Sequence, residues 1–404
     1  MQISIFDGTT KYVVDKQIKL IELFADIGSQ AKAMSLLKRF FGIEWESHIM
    51  VEYNQNAINS YNAVHCNNKP QESLLDITKI SAADLDIHDT DKYTYMMTYS
   101  FPCTDLSIAG NMQGMAKDSG TRSGLLWQVE RLLIECDTLP QVLVMENVPP
   151  VVKAEGWADW VAFLDSLGYK SKWQILNAKD YGIPQSRERC FMVSILGDYY
   201  YNFPDPKKLH LRLQDMLQDS VHDKYYLSDE SIEKMATTSY VSGNIACRLQ
   251  GKDWCDTLLA RDCKDPKVIV VGNLTDGKWS RVIEQSRRVF ATDGLAPTFT
   301  AHGGGNQEIK VQELSGKVRK LTEREYWRLM GFEDRDFDNA SAVNKKTPLY
   351  QQAGNSIVVS VLIGIFGNLL GLDTSDIEYD TTTFEYTNKP NKVVRADFSN
   401  FVCK

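Results

Sequence analysis

Between residues 18 and 200, short apolar runs alternate with longer stretches whose apolar residues recur every three or four positions. No other feature of the chain limits its fold as much. A short apolar run bounded by turn residues reads as a strand buried on both faces, and the amphipathic stretch after it as a crossover helix. The segment therefore calls for an α/β fold, a doubly wound and mostly parallel sheet with helices on both faces. Strands are expected near 19–25, 48–52, 93–100, 142–146, 171–177 and 189–196, with helices over 30–39, 124–136 and 157–167. From about 199 to 206 aromatic and proline residues cluster and the alternation stops. The stretch to about 316 reads as irregular, rich in Gly, Asp, Thr and Arg. Helical pattern returns at 322–330 and 357–370. The expected division is a main domain over 1–200 and 345–375, a smaller irregular domain and hinge over 201–344, and a polar, partly frayed tail over 376–404.

Eight cysteines are scattered without a C-x-x-C pair, which argues against a structural metal or a disulfide framework and for free thiols in a reducing compartment. The chain has no apolar run of 18 residues and no signal-peptide pattern at its start, so a cytoplasmic protein without a membrane is expected. A net charge of −8 argues mildly against a nucleic-acid partner. Residues 261–330 nevertheless carry 13 Lys+Arg against 9 Asp+Glu, a local basic region on an acidic body.

Five segments carry chemistry-bearing residues. Leu20 to Ser29 runs from a strand through a turn at Gly28 into a helix, where the missing side chain lets a ligand approach and the helix N-terminus offers free N–H groups. Glu52 ends the second strand, where ribose hydroxyls are usually held, and Asp76 follows in Leu75-Asp76-Ile77. For either acid alone a solvated strand end is the plainer reading. Cys103, in Ser100-Phe101-Pro102-Cys103, lies past the third strand, at the sheet edge where such folds do chemistry. Its thiol, with an ordinary pKa of about 8.5, needs roughly 2 kcal/mol to ionise at neutral pH unless nearby N–H groups help. A small buried hydrophobe is the competing reading, against which Asp105 and Ser107 weigh. Glu146 ends the fourth strand before Asn147-Val148-Pro149-Pro150, as a proton carrier or a strand cap. In Gln185-Ser186-Arg187-Glu188-Arg189, alternation places two arginines on one strand face, fit for a carbonyl, a carboxylate or a phosphate, or for surface ion pairs. Last, Asn355 or Ser356 reads as the N-cap of the 357–370 helix.

In this order the five segments resemble the motif series of the DNA cytosine-C5 methyltransferases, over residues 18–200 and 316–370. The resemblance implies the class I S-adenosylmethionine-dependent methyltransferase fold with a target-recognition domain in the variable stretch. It also implies S-adenosylmethionine as cofactor, double-stranded DNA as partner, no metal and a monomer, and it leaves a cognate restriction endonuclease open. By resemblance Cys103 attacks C6 of a flipped cytosine, Glu146 engages N3 and the exocyclic amine, and Arg189 contacts O2 with Arg187 supporting the pocket. Phe24, Ala25, Ile27, Gly28 and Ser29 would surround the methionine part and Glu52 the ribose. Tyr53 would pack on the adenine, Asp76 and Ile77 would hold its edge, and Pro102, Leu125, Asn355 and Ser356 would complete the pocket. Arg319, in the segment Lys317 to Glu325, would brace the recognition domain, and Thr298-Phe299-Thr300 with Gly303 to Gly305 would close it. Two positions depart from the family pattern: Asp26 replaces a turn glycine and Thr104 a glutamine. Two like charges at about 4 Å repel by roughly 4 kcal/mol at an effective dielectric of 20, so Asp26 is expected to point away from the cofactor's carboxylate or to meet a cation. RNA cytosine-C5 methylation, or DNA binding by this fold with impaired turnover, are the competing functions.

Overall fold

In a computed structural model, which describes residues 10–66, 70–102, 115, 122–233, 235–236, 240–241, 267–274, 279, 284–301 and 306–389, all six expected strands form one sheet. They are β1 (Gln17–Leu23), β2 (Trp45–Val51), β3 (Tyr93–Tyr99), β4 (Val142–Asn147), β5 (Tyr169–Asn177) and β6 (Glu188–Leu196). Their spatial order is β2-β1-β3-β4-β6-β5. The first four are parallel, and β6 runs antiparallel to both neighbours. The link from Asn177 to Glu188 carries only a short 3-10 turn and a two-residue strand, too little for the crossover that a parallel neighbour needs. β6 therefore turns back between β4 and β5.

Strands β3 and β4 are almost wholly buried. Alternation sends Leu20, Met96 and Val144 into the core on one face, and Ile21, Met97 and Leu143 into that on the other. Each such side chain contributes about 1.5–3 kcal/mol of burial, so both faces need helices. These are α1 (Ser29–Phe41), α2 (Gln55–His65), α3 (Leu126–Glu135) and α4 (Trp157–Ser166), followed late in the chain by α5 (Glu323–Leu329), α6 (Asp334–Val343), α7 (Lys346–Asn355) and α8 (Val359–Leu369). Helix α8 packs on α1, so the C-terminal segment returns to the first strand's side of the sheet. Among the described residues no single helix is long and apolar enough to cross a membrane.

Three expectations are corrected. The stretch to 316 contains part of a second sheet: β7 (Ile269–Leu274), β8 (Arg288–Ala291) and β9 (Lys310–Gln312), joined by β10 (Val318–Lys320) and two short strands on β7. Its strands are only two to six residues long, too short for alternation to show. Second, Asn355 ends α7 and Ser356 is that helix's C-cap, whereas α8 starts after Val358 without a side-chain cap. Third, Ile377–Asp380 and Glu385–Asn388 form a hairpin at the start of the tail that was expected to be polar and partly frayed. Tyr379 and Tyr386 anchor it in the core.

Glu333 joins α1 to the hairpin at 377–388. Its side chain is 0% exposed and meets Lys32 at 2.7 Å and Arg39 at 2.6 Å on α1, Arg335 at 2.6 Å, and the Tyr386 amide of the hairpin at 2.9 Å. Burial alone would raise its carboxyl, but the Lys32 charge and the Arg39 bond outweigh it and hold Glu333 at about 2. A depressed carboxyl stabilises the fold above its unfolded pKa near 4.5 and loses that contribution as pH falls toward about 2. Glu333→Gln is expected to cost about 1–3 kcal/mol in urea denaturation at neutral pH, since it removes one charge partner of the buried Lys32, which keeps Asp336, and of the more exposed Arg39 and Arg335. The gap to the parent should narrow as the titration is repeated between pH 4.5 and about 2, and a gap independent of pH would contradict this account.

Candidate active site

The carboxyl ends of β1 to β4 lie along one edge of the sheet, and the residues singled out in the sequence gather there. After Leu23 the chain curls tightly, with positive φ at Phe24 (60°), Asp26 (46°) and Gly28 (76°). For Phe and Asp this conformation costs about 1–2 kcal/mol each, so other contacts must hold it. The Ala25 amide donates to the Val51 carbonyl at 3.1 Å, the Asp26 amide to Glu52 Oε2 at 3.0 Å, and the Gly28 amide to the Ala25 carbonyl at 2.9 Å. His65 on α2 donates from Nε2 to the Ile27 carbonyl at 2.9 Å, and burial lowers its pKa to about 4, keeping the ring neutral. The glycine has a different reason from the one the sequence suggested. A Cβ on Gly28 would lie 2.6 Å from Tyr61 and 2.7 Å from His65, so its missing side chain admits α2 rather than a ligand. The side chains of Ala25 and Ile27 are likewise buried in the core, and these residues offer the site their backbone.

The turn meets the C-terminal segment directly: Ser29 Oγ accepts the Ile357 amide at 3.2 Å, and the Ser356 hydroxyl lies 3.3 Å from Asp26 Oδ2. Asp26 meets no cation among the described residues. It faces Ser356 and Glu52 instead, and burial followed by the Glu52 charge pushes its carboxyl well above the usual range. Glu52 also accepts the Asn54 amide at 2.7 Å, and burial raises it as well. Tyr53 beside it is 69% exposed, an open aromatic face at the pocket rim. Asp76 closes onto its own turn, accepting from the Thr78 amide and hydroxyl at 3.0 and 2.7 Å, and the buried Ile77 gives its carbonyl to Arg131. Leu125 is half-buried just before α3, and Asn355 is exposed at the end of α7.

At the next strand ends, Glu146 is buried and its Oε1 lies 3.1 Å from Arg189 Nε. Burial raises the Glu146 carboxyl, opposed first by Arg189 and then by Arg187. Arg187 does more than support this pocket. Its buried guanidinium donates to the carbonyls of Phe299 (3.2 Å), Gly354 (2.9 Å) and Ser356 (3.0 Å). Cys103, Thr104 and Gly303 to Gly305 lie outside the described residues. The two residues leading to Cys103 are fixed: Asn147 Nδ2 donates to the Phe101 carbonyl at 3.0 Å and Ser123 Oγ to the Pro102 carbonyl at 2.8 Å. Sequence reading passed over Asn147 and Ser123, although Asn147 directly follows Glu146. It also passed over Tyr61 and His65, whose spacing of four places them on one helix face. Arg319 is fully buried and forks onto Glu325 at 2.9 Å through two nitrogens, with Glu313 at 2.6 Å, which makes it a brace.

The donor set at β1 and β2 suits an aminonucleoside carrying an amino acid. It combines the Glu52 carboxylate, which has spare acceptor capacity, with an exposed aromatic ring and a curled backbone at a helix start. Among the described residues no group of three or more His, Cys, Asp or Glu is placed to hold a metal ion. A family model described as C-5 cytosine-specific DNA methylase matches residues 18–371. The chain is 35% identical over 308 residues to the type II methyltransferase M2.ScrFI of Lactococcus lactis subsp. cremoris, covering 75% of this chain and 72% of that one. It is 28% identical to the orphan methyltransferase M.SssI of Spiroplasma monobiae, covering 88% and 98%. Its fold resembles the crystal structure of the S. pombe Dnmt2 methyltransferase with a TM-score of 0.60 at 18% identity, covering 88% and 99%. With the matched region running from β1 to the end of α8 and taking in every strand end described above, the chain belongs to the C-5 cytosine-specific DNA methylase family.

Proposed function

We propose that this chain methylates C5 of a cytosine flipped out of duplex DNA, using S-adenosylmethionine and the thiol of Cys103. The observation that carries the reading is the buried Glu146–Arg189 pair, adjoining the tethered carbonyls that lead the chain into Cys103. Cytosine C5 is a poor nucleophile until addition at C6 breaks the ring's conjugation, and covalent catalysis divides that difficulty. The Cys103 thiolate forms the bond to C6. Glu146, held neutral longer by burial, places a proton at N3 so that the ring accepts the added electrons. Arg189, beside it, faces O2 and limits how far Glu146 rises. S-adenosylmethionine supplies the electrophilic methyl group. Loss of the C5 proton then restores the ring and breaks the C6–S bond, freeing Cys103.

The cofactor is assigned to the curl of Phe24, Ala25, Ile27, Gly28 and Ser29 at its methionine end, with Ser356, Asn355, Pro102 and Leu125 around it. Glu52 takes the ribose hydroxyls with its remaining lone pairs, and Tyr53 covers the adenine. Asp76, engaged in its own turn, holds the segment that presents Ile77 to the adenine edge. Residues 201–344 are assigned to target recognition and the hinge, and the matched bacterial enzymes suggest a cytoplasmic setting. The flipped base must leave its stack, at a cost of a few kcal/mol that the pocket offsets.

Two tests follow. Bisulfite sequencing of DNA from cells expressing the chain should reveal one protected motif, and Cys103→Ser should lower methylation by about a thousandfold or more. Label from the cofactor appearing in transfer RNA and not in duplex DNA would overturn the DNA assignment, and unchanged activity of Cys103→Ser would overturn the thiol's role. The two arginines should also separate by readout. Arg187→Ala should cost about 3 kcal/mol or more of folding stability by stranding buried carbonyls. Arg189→Ala should cost less stability than Arg187→Ala, because Arg187 still offsets the Glu146 charge, and should slow turnover about a hundredfold.

A further inference from the structure

Arg131 on α3 has no task in the mechanism above, yet each of its five N–H hydrogens meets an acceptor. Nε donates to Gln128 Oε1 at 2.9 Å, Nη1 to the two Glu135 oxygens at 2.8 and 3.0 Å, and Nη2 to the Ile77 and Ile80 carbonyls at 2.9 Å each. A pairing with Glu135 alone, four residues on along the helix, would be an ordinary surface ion pair. Such a pair does not need two carbonyls of one loop to converge on a single nitrogen. Glu135 extends the hold, accepting the Ala82 amide at 3.2 Å. Residues 77–82 are therefore hung on α3 by three backbone groups, while Ile77 and Ile80 bury their side chains in the core.

The loop's own bonds decide which way its donors face. The Asp76 carbonyl accepts the Lys79 amide at 2.9 Å, and the Asp76 carboxylate accepts the Thr78 amide at 3.0 Å. A trans peptide sets the carbonyl of one residue and the amide of the next in opposite directions. The bond that draws the Asp76 carbonyl into the turn therefore sends the Ile77 amide out of it, and among the described residues nothing accepts that amide.

We infer that Arg131 is a positioning residue of the adenine subsite: by fixing the Ile77 and Ile80 carbonyls on α3, it holds the Ile77 amide toward the base and makes the pocket select adenine over a 6-oxopurine. The inference rests on the S-adenosylmethionine reading above. The Watson–Crick edge of adenine carries a ring nitrogen with a free lone pair, which an amide N–H can meet. In hypoxanthine the same nitrogen bears a hydrogen, so donor meets donor. A loose amide could turn aside and tolerate either base, whereas a fixed one cannot. Selection therefore depends on the rigidity that Arg131 supplies. A lysine keeps the charge but lacks the fork that reaches both carbonyls and Glu135 together.

Isothermal titration of the full chain with S-adenosylhomocysteine and with S-inosylhomocysteine measures the selection directly, because the two ligands differ only at the base. The parent should prefer the adenine ligand by roughly a hundredfold or more. In Arg131→Lys and Arg131→Ala that ratio should shrink about tenfold, chiefly through weaker binding of the adenine ligand. Arg131→Lys retains the charge beside Glu135, so it keeps the test open if Arg131→Ala fails to fold. A ratio that both folded variants share with the parent would overturn the inference, as would an equal loss of affinity for the two ligands, which is what a purely structural arginine produces. A parent that binds both ligands equally would overturn it as well and leave the cofactor reading intact. Binding of neither ligand by the parent would remove the cofactor reading itself, and this inference with it.

Discussion

One buried guanidinium holds the catalytic edge, the C-terminal segment and the end of the second sheet's region in register. Arg187 reaches the carbonyls of Phe299, Gly354 and Ser356, groups separated from it by more than a hundred residues of chain. A lysine could not replace it, because a single ammonium lacks the planar fork that spans several acceptors at once. The approach of these segments is close enough to dictate composition. A Cβ on Gly354 would lie 2.5 Å from the Ala301 backbone, so only glycine lets α7 end against that strand of chain. Beside this contact, Ala296–Pro297 pairs with Gln185–Ser186, and the Thr298 hydroxyl donates to the Ser186 carbonyl. The same cation fixes Ser356, and Ser356 in turn touches Asp26, so the turn after β1 and the start of β6 share one anchor.

The main sheet was legible because its strands are buried on both faces and therefore read as unbroken apolar runs, as in Tyr93–Tyr99 and Val142–Asn147. The second sheet was not, because Lys310–Gln312 and Val318–Lys320 have three residues each and owe their existence to partners far along the chain. The hairpin at 377–388 was hidden for a related reason. Its exposed positions are polar, and only Ile377, Tyr379 and Tyr386 enter the core. Ser356 illustrates a third limit. A hydroxyl between two helical patterns caps either one equally well on paper, and the choice is made by Arg187, which holds the Gly354 and Ser356 carbonyls on the far side of the break.

Within the site, the sequence named residues at strand ends but not their partners. Glu146 could be picked out by its place after an apolar run, whereas Asn147 acts through a bond to the Phe101 carbonyl, a contact invisible before folding. The Gly28 turn makes the point more sharply. Its glycine was expected to leave room for a ligand, yet the space is filled from behind by Tyr61 and His65. A glycine marks close approach, and the sequence does not say by what.

Arg187 also links the Glu146 carboxyl to the segment around Phe299. Its guanidinium lowers the Glu146 carboxyl against the rise caused by burial, while its hydrogens are committed to carbonyls on either side of the junction with residues 298–301. A shift of that junction would move the cation relative to Glu146 and change the balance that sets the carboxyl's proton. Among the described residues Arg189 bonds to Glu146 and to the neighbouring Glu188 carbonyl. One arginine thus ties the carboxyl's charge to residues 298–301, and the other pairs with it directly. A displacement of residues 298–301 would reach the Glu146 carboxyl by electrostatics over a few ångströms, without requiring the sheet to deform.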